Sequence, residues 1–169
     1  MQGNIVDLLY APLSPTEVTT SIILAAVTRA IVIGFVSTLV FLFIVDLPIK
    51  NIGYVLYAAF FGSFFIGSIG FITGLWATKF DHTATITNFI IQPLSFLSGV
   101  FYTIDKLPSV FQAISQINPF FHIINIFRYG FLGTSDGDLF FGIIFLPILS
   151  FFAWFVAFVL YKKGYKIKS

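Results

Sequence analysis

The sequence predicts an all-α protein, a polytopic membrane helix bundle with four transmembrane helices and a re-entrant pair of half-helices. Of its 169 residues, 58% are hydrophobic and 9% are charged, and the mean hydropathy is +0.99. A soluble domain usually has about a quarter of its residues charged, and one of this size cannot bury so much apolar surface in a single core. Long apolar runs also recur along the chain. The bilayer is therefore the expected solvent.

Four apolar runs predict the membrane spans, because a helix needs about 20 apolar residues to cross roughly 30 Å of hydrocarbon. The predicted spans cover residues 21–45, 53–77, 84–104 and 138–161. An even number of spans places both chain ends on one side of the membrane. Cytoplasmic loops carry an excess of lysine and arginine. Five lysines lie on the same side of the membrane as the termini, and three basic residues lie on the other side, so cytoplasmic termini are predicted. The five are Lys79, Lys162, Lys163, Lys166 and Lys168, and the three are Lys50, Lys106 and Arg128.

The connection before the last span predicts a re-entrant segment over residues 107–132. Its two apolar stretches are interrupted by Asn118 and Pro119. Proline removes a backbone donor and disfavours helix at the residue before it, so two short half-helices fit better than one spanning helix. Irregular backbone of this kind is stable at membrane depth only where protein or a water-filled cavity surrounds it.

The first 18 residues predict a short helix that precedes the first span. This helix is expected to end by Pro12, after which Ser14, Pro15 and Glu17 have the spacing of a capping box that starts a new helix. The segment is either a lead-in to the first span or a cytoplasmic coupling helix. Three aliphatic residues form its apolar side: Ile5, Leu8 and Leu9.

Three blocks of sequence together resemble a known family. Residues 3–18 contain a glycine, an aliphatic–acidic step, a leucine pair, and then proline and glutamate. Residues 89–102, followed by Leu107-Pro108, form the second block, and residues 117–133, which include Asn118-Pro119, form the third. The order and spacing of these blocks resemble ABC-2 type permeases, in which the last two blocks are the fifth span with its exit and the re-entrant segment. The resemblance covers essentially the whole chain.

The resemblance implies that residues 1–169 form one ABC-2 type transmembrane domain, the permease subunit of an ATP-driven exporter in the bacterial inner membrane. The chain is then not an enzyme and binds no cofactor, because ATP is bound and hydrolysed by a separate cytoplasmic ATPase. A second permease copy, giving a homodimer, and membrane lipids are the other expected partners. The small net charge of +2 and the absence of a basic patch argue against nucleic acid.

The family pattern has six spans, whereas this sequence predicts four. It resembles the last two-thirds of a permease and lacks the first two spans. The alternative interpretation is therefore a non-transporting membrane interaction subunit or a truncated permease fragment.

The resemblance also suggests which residues carry function. Residues near the amino terminus are expected to couple to the ATPase: Asp7, Leu8, Leu9, Tyr10, Pro12 and Glu17. Polar or helix-breaking residues are candidates for the transport pathway or its gating: Arg29, Gln92, Pro93, Ser98, Gly99, Asn118, Pro119, His122 and Arg128.

Two of these candidates also have simpler explanations. Arg29 lies about two turns inside the first span, where it either extends its guanidinium toward the cytoplasm and a neighbouring helix or lines a substrate path. Gln92-Pro93 is expected to kink the third span, and Gln92 either lines the conduit or forms a hydrogen bond between helices.

Small residues on the second span predict close helix packing in two adjacent stripes: Gly62, Gly70 and Gly74, and Ala59, Ser63 and Gly67.

Several site chemistries are not expected. The sequence has no cysteine, which excludes thiol chemistry. His82 and His122 lie on opposite faces in the predicted topology and cannot share a zinc ion. Ser98 and His122 lack an orienting acid at a recognisable spacing for a serine hydrolase. Asp136 and Asp138 lie in an outer loop and are expected to be solvated turn or cap residues.

Overall fold

Three helices of 28, 25 and 24 residues dominate the computed structural model, which describes residues 13–46, 48–77, 80–101 and 103–164. The described parts contain no β-strand, in agreement with the predicted all-α class. In chain order the elements are α1 (Pro15–Leu42), α2 (Ile52–Trp76), α3 (Phe80–Ile86), a π-helical turn (Thr87–Ile91), α4 (Gln92–Phe96), a 3-10 turn (Ile104–Lys106), α5 (Ser109–Ile117), α6 (Pro119–Leu132) and α7 (Leu139–Lys162).

The three long helices α1, α2 and α7 are each long and apolar enough to cross a membrane. At 1.5 Å per residue they measure about 36 to 42 Å, more than the roughly 30 Å of hydrocarbon in a bilayer. They correspond to the first, second and fourth predicted spans. The structure thus supports a multi-pass membrane protein.

The start of α1 is fixed by the predicted capping box. The Ser14 hydroxyl accepts a hydrogen bond from the Glu17 backbone N–H at 3.3 Å, and Glu17 Oε2 accepts one from the Ser14 backbone N–H at 2.7 Å. Pro15 occupies the first helical position, where its missing N–H has no intrahelical role. The other five predicted coupling residues, at positions 7–10 and 12, lie outside the described residues.

Within the predicted third span, 84–104, regular helix stops at Phe96. The helix from Phe80 is also interrupted by the π-helical turn, in which the Gln92 N–H donates to the Thr87 carbonyl five residues back. Pro93 lacks an N–H and its ring crowds the preceding turn, which accounts for the irregular geometry predicted at this point. A fourth span remains a prediction.

The break in the re-entrant segment lies where the sequence predicts it. Helices α5 and α6 meet at Asn118, which has extended backbone angles and whose Oδ1 accepts a hydrogen bond from the Phe120 N–H at 3.0 Å. Helix α6 has 14 residues and is about 21 Å long, too short to cross the bilayer. It ends at Gly133, whose φ of +75° favours glycine. Re-entry into the lipid remains a prediction.

Helix α2 lies at the centre of the bundle and packs on α1, α6 and α7. One core cluster joins α2, α6 and α7, and a second joins α1, α2 and α7. The first contains Ala58, Phe65, Ile123, Ile126, Leu146 and Ala153. The second contains Ile23, Val27, Phe64 and Ala157.

Hydrogen bonds between elements define the two ends of the bundle. At one end the Trp154 Nε1–H donates to the Thr20 hydroxyl of α1 at 3.2 Å. At the other end the Asn51 N–H donates to the Gly130 carbonyl of α6 at 2.8 Å. The start of α1 therefore lies beside the second half of α7. The re-entrant helices lie at the opposite end of the bundle, beside the start of α2. We call this end of the bundle the junction end.

The surface of the bundle is apolar along the long helices. Phe35, Phe140 and Phe152 are all more than half exposed, as are four aliphatic residues of α1. Such continuous apolar surface would cause aggregation in water, but it suits contact with lipid tails or other membrane helices.

The small-residue stripes on α2 have unequal roles. A Cβ at Gly62 would come within 3.0 Å of the Ile123 side chain of α6, and one at Gly67 within 3.3 Å of Ala26 Cβ of α1. Gly70 and Gly74 have nothing within 4 Å of the corresponding position among the described residues. Close packing is therefore found at one glycine of each stripe, whereas Gly70 and Gly74 are exposed.

The closest glycine contact joins α6 to the start of α2. A Cβ at Gly130 would lie 2.6 Å from Val55 Cγ2 and 2.9 Å from the Val55 backbone nitrogen. Because the backbone cannot move aside easily, Gly130→Ala should destabilise the protein by about 1–3 kcal/mol, the usual cost of overpacking. The melting temperature of the purified protein in detergent measures this effect. Gly70→Ala is the matched control, and equal melting temperatures for the two variants would contradict the packing described.

Candidate functional site at the junction of the re-entrant helices

The polar side chains of the re-entrant segment converge on the backbone where α4 ends. Asn118 Nδ2 donates to the Leu94 carbonyl at 2.6 Å. The Ser115 hydroxyl donates to the Leu97 carbonyl at 2.9 Å. These carbonyls lie at and just after the end of a helix, where the backbone offers no partner in the next turn. The two bonds therefore tie α5 and α6 to the exit of the broken helix.

Arg128 of α6 provides the third connection. Its Nη2 donates to the Gly99 carbonyl at 2.5 Å, and its Nη1 forms an ion pair with Asp136. The side chains of the two charged residues are only 19% and 16% exposed. Gly99 has a φ of +78°, which turns the chain directly after α4. Arg128 thus bonds both to this turn and to the loop before α7.

The loop before α7 is also held by Asn125 of α6. Asn125 is 1% exposed, and its Oδ1 accepts a hydrogen bond from the Asp136 N–H at 2.7 Å. The expectation of a solvated Asp136 is therefore wrong, because the residue is ion-paired and largely covered. Asp138 is the helix cap that the sequence predicts, accepting from the Phe141 N–H at 3.1 Å.

His122 lies behind this network and is 2% exposed. Its Nε2 is 2.8 Å from the Gln116 carbonyl, and its ring contacts the rings of Phe121, Phe141 and Phe145. Burial lowers the pKa of the His122 imidazole, while the Gln116 carbonyl and Asp138 oppose that shift.

Five of the nine predicted pathway residues contribute to the junction: Ser98, Gly99, Asn118, His122 and Arg128. Pro119 starts α6 beside them, and Gln92 and Pro93 start α4. Arg29 lies elsewhere, exposed on α1 in a shallow groove beside Ala26 and Ala30. A role of any of these residues in transport remains a prediction.

The sequence did not reveal that Ser115 and Asn125 belong to the junction. It also did not reveal that Asp136 is ion-paired. Asn125 carried a usable signal, because a polar residue inside an apolar stretch at membrane depth points to a buried contact or a functional site. Ser115 and Asp136 carried none, since their partners are distant in sequence. Among the described residues no group of histidine and acidic side chains could hold a metal ion.

Comparisons with known proteins agree with the resemblance found in the sequence. The family described as ABC-2 type transporter matches residues 1–132. The inner membrane transport permease YadH of Escherichia coli K12 is 30% identical over 99% of this chain, which spans 66% of that protein's length. The capsule polysaccharide export inner-membrane protein BexB of Haemophilus influenzae is 31% identical over 60% of this chain and 38% of its own length.

A third relative, nodulation protein J of Rhizobium leguminosarum bv. trifolii, is 32% identical over 43% of this chain and 28% of its own length. No solved structure matches the chain. The similarity to membrane transport and export proteins is therefore a similarity of sequence alone.

The contributions of Arg128 and Asp136 to the unfolding free energy should depend on each other. Arg128→Gln leaves a covered carboxylate without its cation, which should cost about 3 kcal/mol of unfolding free energy. Asp136→Asn should lower the unfolding free energy by a smaller amount. The double variant should lose less unfolding free energy than the sum of the losses in the two single variants. Denaturant unfolding in detergent gives these energies. Lys106→Gln, which removes an exposed charge at the same end, is the control; strictly additive losses would show that the pair does not interact.

Proposed function

Because the chain belongs to the ABC-2 type transporter family, we propose that it is the membrane-spanning part of a transport permease driven by ATP hydrolysis on a separate cytoplasmic subunit. One observation carries this proposal, the similarity to an inner-membrane transport permease along nearly the whole chain. The sequence has no glycine-rich phosphate-binding loop followed by lysine and serine or threonine. ATP hydrolysis is therefore assigned to a partner.

The coupling element in this proposal is the segment of residues 7–12, with Leu8 and Leu9 as its apolar contact. Its position immediately before α1 supports the assignment. The capping box between Ser14 and Glu17 starts α1 two residues after this segment, so a displacement of the segment would be passed to α1 over a short connection. The bond between Thr20 and Trp154 then passes the movement to α7.

The junction end is the part of the bundle that this movement would rearrange. Long helices transmit displacement along their axes, whereas the broken α3–α4 helix and the re-entrant pair are joined mainly by side-chain bonds to single carbonyls. Such bonds can exchange between discrete arrangements. Transport requires two states that bind substrate differently, and ATP hydrolysis shifts the population between them.

The remaining parts of the proposal follow the family and the surface of the chain. The protein is placed in a bacterial inner membrane with both termini in the cytoplasm, in accord with Lys162 and Lys163 at the end of α7. A second copy of the permease pairs with it. The largely exposed apolar surface of α1 supports contact with lipid or another membrane helix.

The most direct test is co-purification of the full-length tagged protein from membranes, followed by ATPase assays in lipid. The expected result is a stable complex with an ABC-type ATPase whose hydrolysis is stimulated when the permease is present. A protein that inserts normally but never associates with an ATPase, in membranes where one is expressed, would overturn the proposed function.

A sharper test addresses the coupling segment. Leu8→Asp together with Leu9→Asp should abolish most of the stimulation of the ATPase, because two charges replace the apolar contact. Membrane insertion should be unchanged, since the segment lies outside the spans. The control is Gln2→Asp together with Asn4→Asp, which adds the same charge without removing apolar side chains. Wild-type stimulation in the Leu8/Leu9 variant would assign docking to another segment.

A further inference from the structure

Helix α7 contains a proline, Pro147, in its interior. Proline has no backbone N–H, so the carbonyl of Ile143, four residues earlier, loses its donor within the helix, and the proline ring also crowds that carbonyl. Ile143 is half-buried and packs against the core cluster that joins α2, α6 and α7. A carbonyl in such apolar surroundings is costly unless a neighbouring helix supplies a donor.

Tyr57 of α2 supplies this donor. Its hydroxyl donates to the Ile143 carbonyl at 2.5 Å, and its ring packs beside the ring of Phe61, with the two centroids 4.7 Å apart. The bond takes the place of the helical bond that Pro147 cannot make. Tyr57 therefore replaces a missing backbone donor rather than adding a bond to a complete helix.

A second polar bond joins α2 and α7 just after the proline. The Ser150 hydroxyl lies 3.1 Å from the Phe61 carbonyl of α2 and 2.7 Å from the Leu146 carbonyl of its own helix. A hydroxyl has one proton, so these two carbonyls share or exchange it. Side-chain bonds therefore join α2 to α7 on both sides of Pro147, but only Tyr57 bonds to the carbonyl that the proline deprives of its helical donor.

The proline divides α7 into two parts with different neighbours. Before it, Gly142 packs on α6, where a Cβ at this glycine would lie 3.0 Å from the His122 imidazole. After it, Trp154 donates a hydrogen bond to Thr20 of α1. A bend at Pro147 would therefore move the part of α7 that packs on the re-entrant helix α6 relative to the part that contacts α1.

We propose that Pro147 is a hinge in α7 and that Tyr57 is the residue that positions this hinge. While the Tyr57 hydroxyl bonds to the Ile143 carbonyl, the two parts of α7 keep one orientation. Without that bond the orientation is no longer fixed, because a helix that lacks an internal bond at a proline bends there. The use of this hinge in transport rests on the proposed function, but the hinge itself needs neither ATP nor a partner, so it can be tested on the purified chain alone.

A double-mutant comparison tests the replacement of the backbone donor. Tyr57→Phe removes only the hydroxyl and leaves the Ile143 carbonyl without a donor, so the melting temperature in detergent should fall by roughly 4 °C. Pro147→Ala returns an N–H to that carbonyl. In the Pro147→Ala background, Tyr57→Phe should therefore change the melting temperature by less than about 1 °C.

Tyr54→Phe is the matched control. Tyr54 is also half-buried on α2, and its hydroxyl makes no hydrogen bond among the described residues. This variant should melt as the unchanged protein does. An equal loss from Tyr57→Phe in both backgrounds, or no loss in either, would refute the replacement of the backbone donor.

Spin labels measure the orientation of the two parts of α7. The sequence has no cysteine, so labelled cysteines can be introduced in pairs at exposed positions of α1 and α7. Val36→Cys with Phe140→Cys reports on the part before the proline. Leu24→Cys with Phe155→Cys reports on the part after it.

Tyr57→Phe should widen the distance distribution of the first pair, measured by pulsed electron paramagnetic resonance, about 1.5-fold or more and leave that of the second pair unchanged. Tyr57→Phe together with Pro147→Ala should restore the narrower distribution, because the helical bond is regained. Equal widths of the first pair with and without the Tyr57 hydroxyl, or equal widening of both pairs, would overturn the hinge.

Discussion

The structure depends on one constraint, that every backbone carbonyl away from water needs a donor. Helices α1, α2 and α7 meet this requirement internally over most of their length. The helix that includes α4 stops at Phe96 and leaves carbonyls at Leu94, Leu97 and Gly99 without helical partners. Each of these accepts from a side chain of the re-entrant segment. The interrupted helix and the re-entrant pair therefore stabilise each other, and neither is complete alone.

This arrangement divides the bundle into two unlike ends. At the start of α1, the contacts are a capping box and a hydrogen bond between two long helices. At the junction end, short elements are held by individual polar bonds, a covered ion pair and glycine turns. Alternative arrangements cost least where few bonds must be exchanged.

The junction also concentrates the polar side chains that a mostly apolar chain retains. His122, Asn125 and Ser115 are almost fully covered, and their positions satisfy neighbouring backbone groups. The exception is Nδ1 of His122, which is buried beside Gly142 and has no hydrogen-bond partner among the described residues.

The sequence by itself determined the helical class, three of the four long helices it predicts, the start of α1 at Ser14 and the break at Asn118-Pro119. These features depend on local properties, namely hydropathy over about 20 residues, capping side chains and the missing proline donor. Only the tertiary structure decided that Asp136 pairs with Arg128, that Ser115 reaches Leu97, and that helix ends at Phe96. These outcomes depend on partners far apart in the chain, and a pattern of neighbouring residues contains no information about which distant carbonyl or charge will lie within bonding distance.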